Sequence, residues 1–100
     1  MTDKQLDEAL SFEGLRALAM CIVKDIDQRL PAAHFKDVDV RRKYLAAMID
    51  ACHRTLVAVH EEMTQQGVQP RQCMQELAAL GHHWADEEVT LIKASKRSNS

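Results

Sequence analysis

Five histidines and the carboxylates around them are the residues whose types and spacing could do chemistry. The histidines are His34, His53, His60, His82 and His83. His53 and His60 are two helical turns apart and would share one stripe of a helix. Glu76, His83 and Glu87 would form a matching stripe on a second helix. Imidazole and carboxylate groups on facing helices are ligands that can hold a transition metal inside a bundle. The patterns that would name such a site are missing. No paired Glu-x-x-His occurs, and His60-Glu61-Glu62 is not the His-Glu-x-x-His of zinc hydrolases. A metal centre at His53, His60, Glu76, His83 and Glu87 is therefore the alternative expectation. The leading one is histidines at the edge of a core with carboxylate neighbours, and no cofactor.

Nucleophilic catalysis finds little support. Cys52 and His53 adjoin in sequence, but adjacent residues on a helix point about 100° apart and cannot act as nucleophile and base. The only glycines are Gly14, Gly67 and Gly81, so there is no phosphate-cradling loop. The expectation is a protein that is not an enzyme. The heptapeptide His82-His83-Trp84-Ala85-Asp86-Glu87-Glu88 holds the only tryptophan. Tryptophan is enriched at binding hot spots, although a lone one is more often the large residue of a core layer. Cys21, Cys52 and Cys73 are odd in number and match no zinc or redox spacing. They read as small reduced core residues, which suits a cytoplasmic setting.

The elements that would position these residues are helices. Thr2 with Gln5 resembles a capping box, opening a short helix over about 3–10. Ser11 suits the N-cap of a second helix, about 12–30, whose apolar positions Phe12, Leu15, Leu18, Ala19, Ile22, Ile26 and Leu30 recur at helical spacing. Gly14 sits early in it at a propensity cost of roughly 1 kcal/mol. Pro31 ends it, because the residue before a proline is pushed out of the helical region. Pro31 to Asp37 reads as a loop, with Asp37 or Asp39 capping a third helix, about 39–66. That helix carries a heptad seam of Leu45, Ile49, Cys52, Leu56, Val59 and Met63. Gly67 supplies its left-handed stop, and Pro70 opens a fourth helix, about 70–94. The fourth helix shows Cys73, Leu77, Leu80, Trp84 and Leu91, with Glu87 and Glu88 in the expected apolar place. Residues 96–100 read as a disordered tail.

A turn this short makes the last two helices antiparallel, so residues at one height have numbers summing to about 136. Met63 then faces Cys73, Val59 faces Leu77, Leu56 faces Leu80, Cys52 faces Trp84 and Leu45 faces Leu91. Ile49 alone meets a glutamate, Glu87. The expected fold is all-α: one domain over 1–95, built on a long antiparallel helical hairpin with a shorter helix packed on it. The third helix could reach ~40 Å and the second only ~30 Å. Some apolar groove should stay uncovered, and such surface on a small protein usually marks an interaction site.

Composition narrows the function classes. The chain has 100 residues, 46% hydrophobic and 28% charged, with formal charge −2. One domain of this size buries a modest core and often gains stability by association. The charge offers no general attraction to nucleic acid or to anionic membranes, so neither is expected as a partner. The acidic N-terminus has no apolar signal region, and no uncharged stretch approaches the ~20 residues of a membrane span. No motif names a family. In size and helix layout the chain is similar to small helical regulators, such as anti-activators of bacterial transcription factors. The uncovered groove and the small size make the leading expectation a non-catalytic regulatory module that forms a homodimer and binds another protein, masking its helical or dimerisation surface, with an obligate structural subunit of a larger complex as a further alternative. The residues expected to meet a partner are Leu45, Met48, Ile49, Trp84, Leu91 and Ile92.

Overall fold

The protein is described by a computed structural model covering residues 2–30, 35 and 37–98, with side chains described through Ser95. His34 and most of the loop after Pro31 lie outside the described residues. The protein is all-α, with four helices and no strand among the described residues: α1 Asp3–Ala9, α2 Phe12–Arg29, α3 Val38–Gln65 and α4 Pro70–Ser98.

Local chemistry accounts for where the helices begin and end. Thr2 Oγ1 accepts from Gln5 N (3.2 Å) while Gln5 Oε1 accepts from Thr2 N (2.9 Å), which satisfies two end donors reciprocally. Ser11 caps α2 by accepting from Gly14 N, and Asp37 caps α3 by accepting from Asp39 N. Leu30 leaves α2 at φ −93°, ψ 139°, the extended geometry imposed by the following proline. Gly67, at φ 78°, follows α3. Helix α4 runs on to Ser98, past the expected end at 94 and into the expected tail. No glycine or proline interrupts Glu87 to Ser98, and Ala, Lys and Arg are good helix formers.

Helix α2 is the centre of the packing, touching α1, α3 and α4. Arg16 pairs with Asp50, and Asp27 with Arg41, so α2 runs antiparallel to α3. Arg29 pairs with Asp86, and Ile22 lies against Gly81, so α2 runs parallel to α4. Helix α1 packs against α2 and α4; Leu6 within it and Leu10 just after it are buried. The molecule is elongated, 48 × 22 × 20 Å.

The buried stripe of α4 differs from the expected one. It is Cys73, Leu77, Gly81, Ala85, Val89 and Ile92. Leu80 and Trp84 are only half-buried, and Leu91 is 62% exposed. The heptad reading took α3 as the neighbour that decides which face is covered. Helix α2 decides instead, and it approaches where the residues are small. A Cβ at Gly81 would collide with Ile22 Cδ1 and Cγ1. Four-residue steps with small members are the ridge spacing that lets two helices cross closely.

Candidate functional site: an apolar groove between α2 and α3

The same α2 that fills the core with Leu15, Ala19, Ile22, Val23 and Ile26 leaves its opposite side open. Ala17, Met20, Cys21 and Lys24 all stand exposed on it. Beside them, Leu45 and Ile49 of α3 are half-buried. Together with Val23 and Asp27 these side chains line a groove of about 480 Å³. Met20 is 52% exposed at its middle. An unbranched thioether of this kind adapts to an irregular partner surface.

The groove is tied at each end by an ion pair between its two helices. Arg16 Nη1 meets Asp50 Oδ1 at 3.1 Å. At the other end Arg41 grips Asp27 with two bonds, Nε to Oδ1 at 2.9 Å and Nη2 to Oδ2 at 2.5 Å. The fork geometry suits a guanidinium and a carboxylate. The bond to Asp27, and then its charge, raise the Arg41 pKa above its ordinary value. These charges are engaged within the chain, so they hold α2 against α3 while the surface between them stays apolar.

The residues expected to meet a partner do not form one surface. Leu45 and Ile49 are brought together in the groove, facing α2; Glu87 is elsewhere, its Oε1 3.0 Å from His83 Nε2. Met48 and Ile92 are core residues, 7% and 8% exposed, and present nothing to a partner. Trp84 lines a nearly closed gap with Cys52, Leu56 and Leu80, between α3 and α4. Leu91 stands on an outer face of α4, beside His83, Asp86 and Thr90.

The alternative metal ligands are dispersed. His53 is buried at 4% exposure, and its Nε2 lies 2.8 Å from the Phe12 carbonyl oxygen. A carbonyl only accepts, so Nε2 carries the proton. The ring also meets Phe12 edge-on, centroids 4.4 Å apart, and thus fastens the start of α2 to α3. His60 turns to Thr64, Glu76 accepts from Gln72, and His83 bonds Glu87. Each partner is four residues away on the same helix. Among the described residues no three metal-ligating side chains gather.

The cysteines also split. Cys52 and Cys73 are buried, as expected of core residues, but Cys21 is exposed on the groove. Burial pushes the Cys52 thiol up to about 11. Thiolate is the reactive form, so burial and protonation both protect Cys52. Titration of the folded protein with a thiol reagent near pH 8 is expected to modify Cys21 first, with Cys52 and Cys73 reacting only on unfolding. Peptide mapping of the first labelled site checks this, and equal early labelling of Cys52 would contradict its packing.

Sequence reasoning missed Ala17, Met20, Cys21 and Lys24. The signal was present: they recur at steps of three and four on the side of α2 away from its main apolar stripe. Among the described residues no helix is long and apolar enough to cross a membrane. Comparison with protein-family models, with curated proteins and with solved structures finds no match.

Proposed function

We propose that this protein is a non-catalytic, cytoplasmic regulatory module that binds another protein through the α2–α3 groove. In this reading α3 and α4 act as one antiparallel hairpin, and α2 docks on it to create the groove. The occupant is an amphipathic helix of the partner, such as the dimerisation helix of a transcription regulator. Sequestering that helix would block the partner's assembly, which is the action of an anti-activator.

The observation that carries the reading is the groove itself. An apolar channel of about 480 Å³, with Met20 exposed at its centre and inter-helix ion pairs at both ends, has the form of a helix-receiving surface. A concave apolar surface rimmed by charged residues is the kind of place where one protein meets another.

The test is retention of host proteins on immobilised wild-type chain, on Met20→Glu, and on Leu91→Glu. Both substituted residues are exposed, so the fold should survive in each. Met20→Glu is expected to weaken retention of the specific partner at least tenfold, because a carboxylate would have to be desolvated in the groove. Leu91→Glu, on the other face, should retain it as wild type does. Undiminished retention by Met20→Glu would overturn the reading.

A further inference from the structure

The exposed side of α2 carries a short pattern with a symmetry of its own. Glu13, Ala17, Met20 and Lys24 recur at steps of four, three and four and lie on one stripe, all exposed. The other charges along this lip are spent inside the chain: Arg16 on Asp50 and Asp27 on Arg41. Glu13 and Lys24 make no ion pair among the described residues. The stripe is therefore an acid, a small residue, a large apolar residue and a base, in that order.

Such an order is complementary to itself when reversed. Laid antiparallel on a second α2, Glu13 falls opposite Lys24 of the other copy, and Ala17 opposite its Met20. The two-fold axis then generates the same contacts again. Glu13 and Lys24 are about 16 Å apart along the helix, so both ion pairs can form while Met20 fills the space over Ala17. Parallel pairing would set Glu13 on Glu13 and Lys24 on Lys24, and repulsion excludes it. Self-complementarity under a two-fold is what an isologous dimer interface requires and what a surface for an unrelated partner does not.

We infer that the α2–α3 groove is the interface of a symmetric homodimer, in which the α2 helices of two copies pair antiparallel and each Met20 enters the other's groove. The inference rests on the reading of this groove as an interaction surface and names a second copy of the chain as its occupant. Binding another protein through the groove would then require the dimer to part.

The experiment is sedimentation of the full chain over a range of concentrations, at low salt. Wild type should approach twice the monomer mass as concentration rises. Glu13→Lys and Lys24→Glu should each weaken the dimer at least tenfold, because each sets like charges together at both ends of the stripe. The double exchange Glu13→Lys/Lys24→Glu should recover it to within about threefold of wild type. High salt should weaken the wild-type dimer, since exposed ion pairs are screened. A chain monomeric at every concentration would overturn the inference. So would a dimer unaffected by Met20→Glu, or a double exchange no better than the singles. In any of these cases loss of a host partner on Met20→Glu would still uphold the proposed function, so the two fail separately.

Discussion

Replacing Gly81 with leucine is expected to remove a large part of the protein's stability, about 3 kcal/mol or more out of the ~5–15 typical of such a domain. Gly81 is buried under α2, and a Cβ there would already meet Ile22 Cδ1 and Cγ1. Isoleucine is branched at Cβ and stiff at χ1, so it can give way only a little. A recess of about 160 Å³ borders the contact, lined by Ile22, Ala78 and Ala85 among others. It gives the end of Ile22 some room to shift. Gly81→Ala should be milder, a net loss of about 0–2 kcal/mol. The ~1 kcal/mol that alanine gains over glycine in a helix offsets part of an overpacking of about 1–3 kcal/mol against Ile22. Urea unfolding followed by circular dichroism checks the series, with a midpoint for Gly81→Leu lower by roughly 2 M at the usual slope. Combining it with Ile22→Ala should return part of the loss, a coupling of about 1–2 kcal/mol, because the added side chain then occupies the vacated space. Gly81→Leu unfolding like wild type would mean that α2 does not lie on this stretch of α4.

How much of this was legible in the sequence depends on the range of the interaction. Caps and stops act over three or four residues, and they stand in the chain as chemistry. Thr2 with Gln5, Ser11, Asp37 and Pro70 mark helix starts, and Leu30 before Pro31 marks an end. Periodicity locates an apolar stripe but does not say which neighbour covers it. In α4, Leu80 and Trp84 are the larger apolar residues, yet Gly81 and Ala85 are the more deeply buried. Their small size is the reason, and size at a crossing has meaning only once the crossing helix is known. The same applies to His53. Its seven-residue spacing from His60 suggested shared ligation, whereas its partner is the Phe12 carbonyl, on another helix 41 residues away. The groove was half visible: Leu45 and Ile49 were expected to meet a partner, but their companions on α2 lay outside the apolar stripe named for that helix.

The structure makes α2 the element on which both stability and the proposed interaction depend. Its inner side buries five apolar residues against the rest of the bundle, and its outer side supplies most of the groove. Changes that loosen α2 should disturb both properties, whereas changes at Met20, Glu13 or Lys24 should separate them. Those three side chains are exposed and have little packing to lose. This separation lets an interaction defect be told from a folding defect.

The corner between α1 and α2 supplies the second large effect. Gly14→Ala is expected to undock α1 without unfolding the remaining bundle. A Cβ at position 14 would run into the backbone of the last turn of α1, at the carbonyl oxygens of Glu8 and Ala9 and the carbonyl carbon of Ala9. Backbone cannot rotate away as a side-chain tip can, so α1 as a whole must move. The corner has no slack elsewhere. Ser11 Oγ donates to Glu8 O at 2.6 Å while accepting from Gly14 N at 3.0 Å, so one hydroxyl joins the end of α1 to the start of α2. Undocking would expose Leu6 and Leu10, each worth about 1.5–3 kcal/mol when buried. Alanine's helix preference inside α2 returns only ~1 kcal/mol, leaving a net loss of about 2–5 kcal/mol. Hydrogen exchange should find the amides of α1 fast in the variant, while α3 and α4 keep their protection. Gly14→Ser should behave like Gly14→Ala, because it is the Cβ that collides. Slow exchange in α1 after either substitution would show that the corner can open without cost, and that α1 is not held by the contact seen at Gly14.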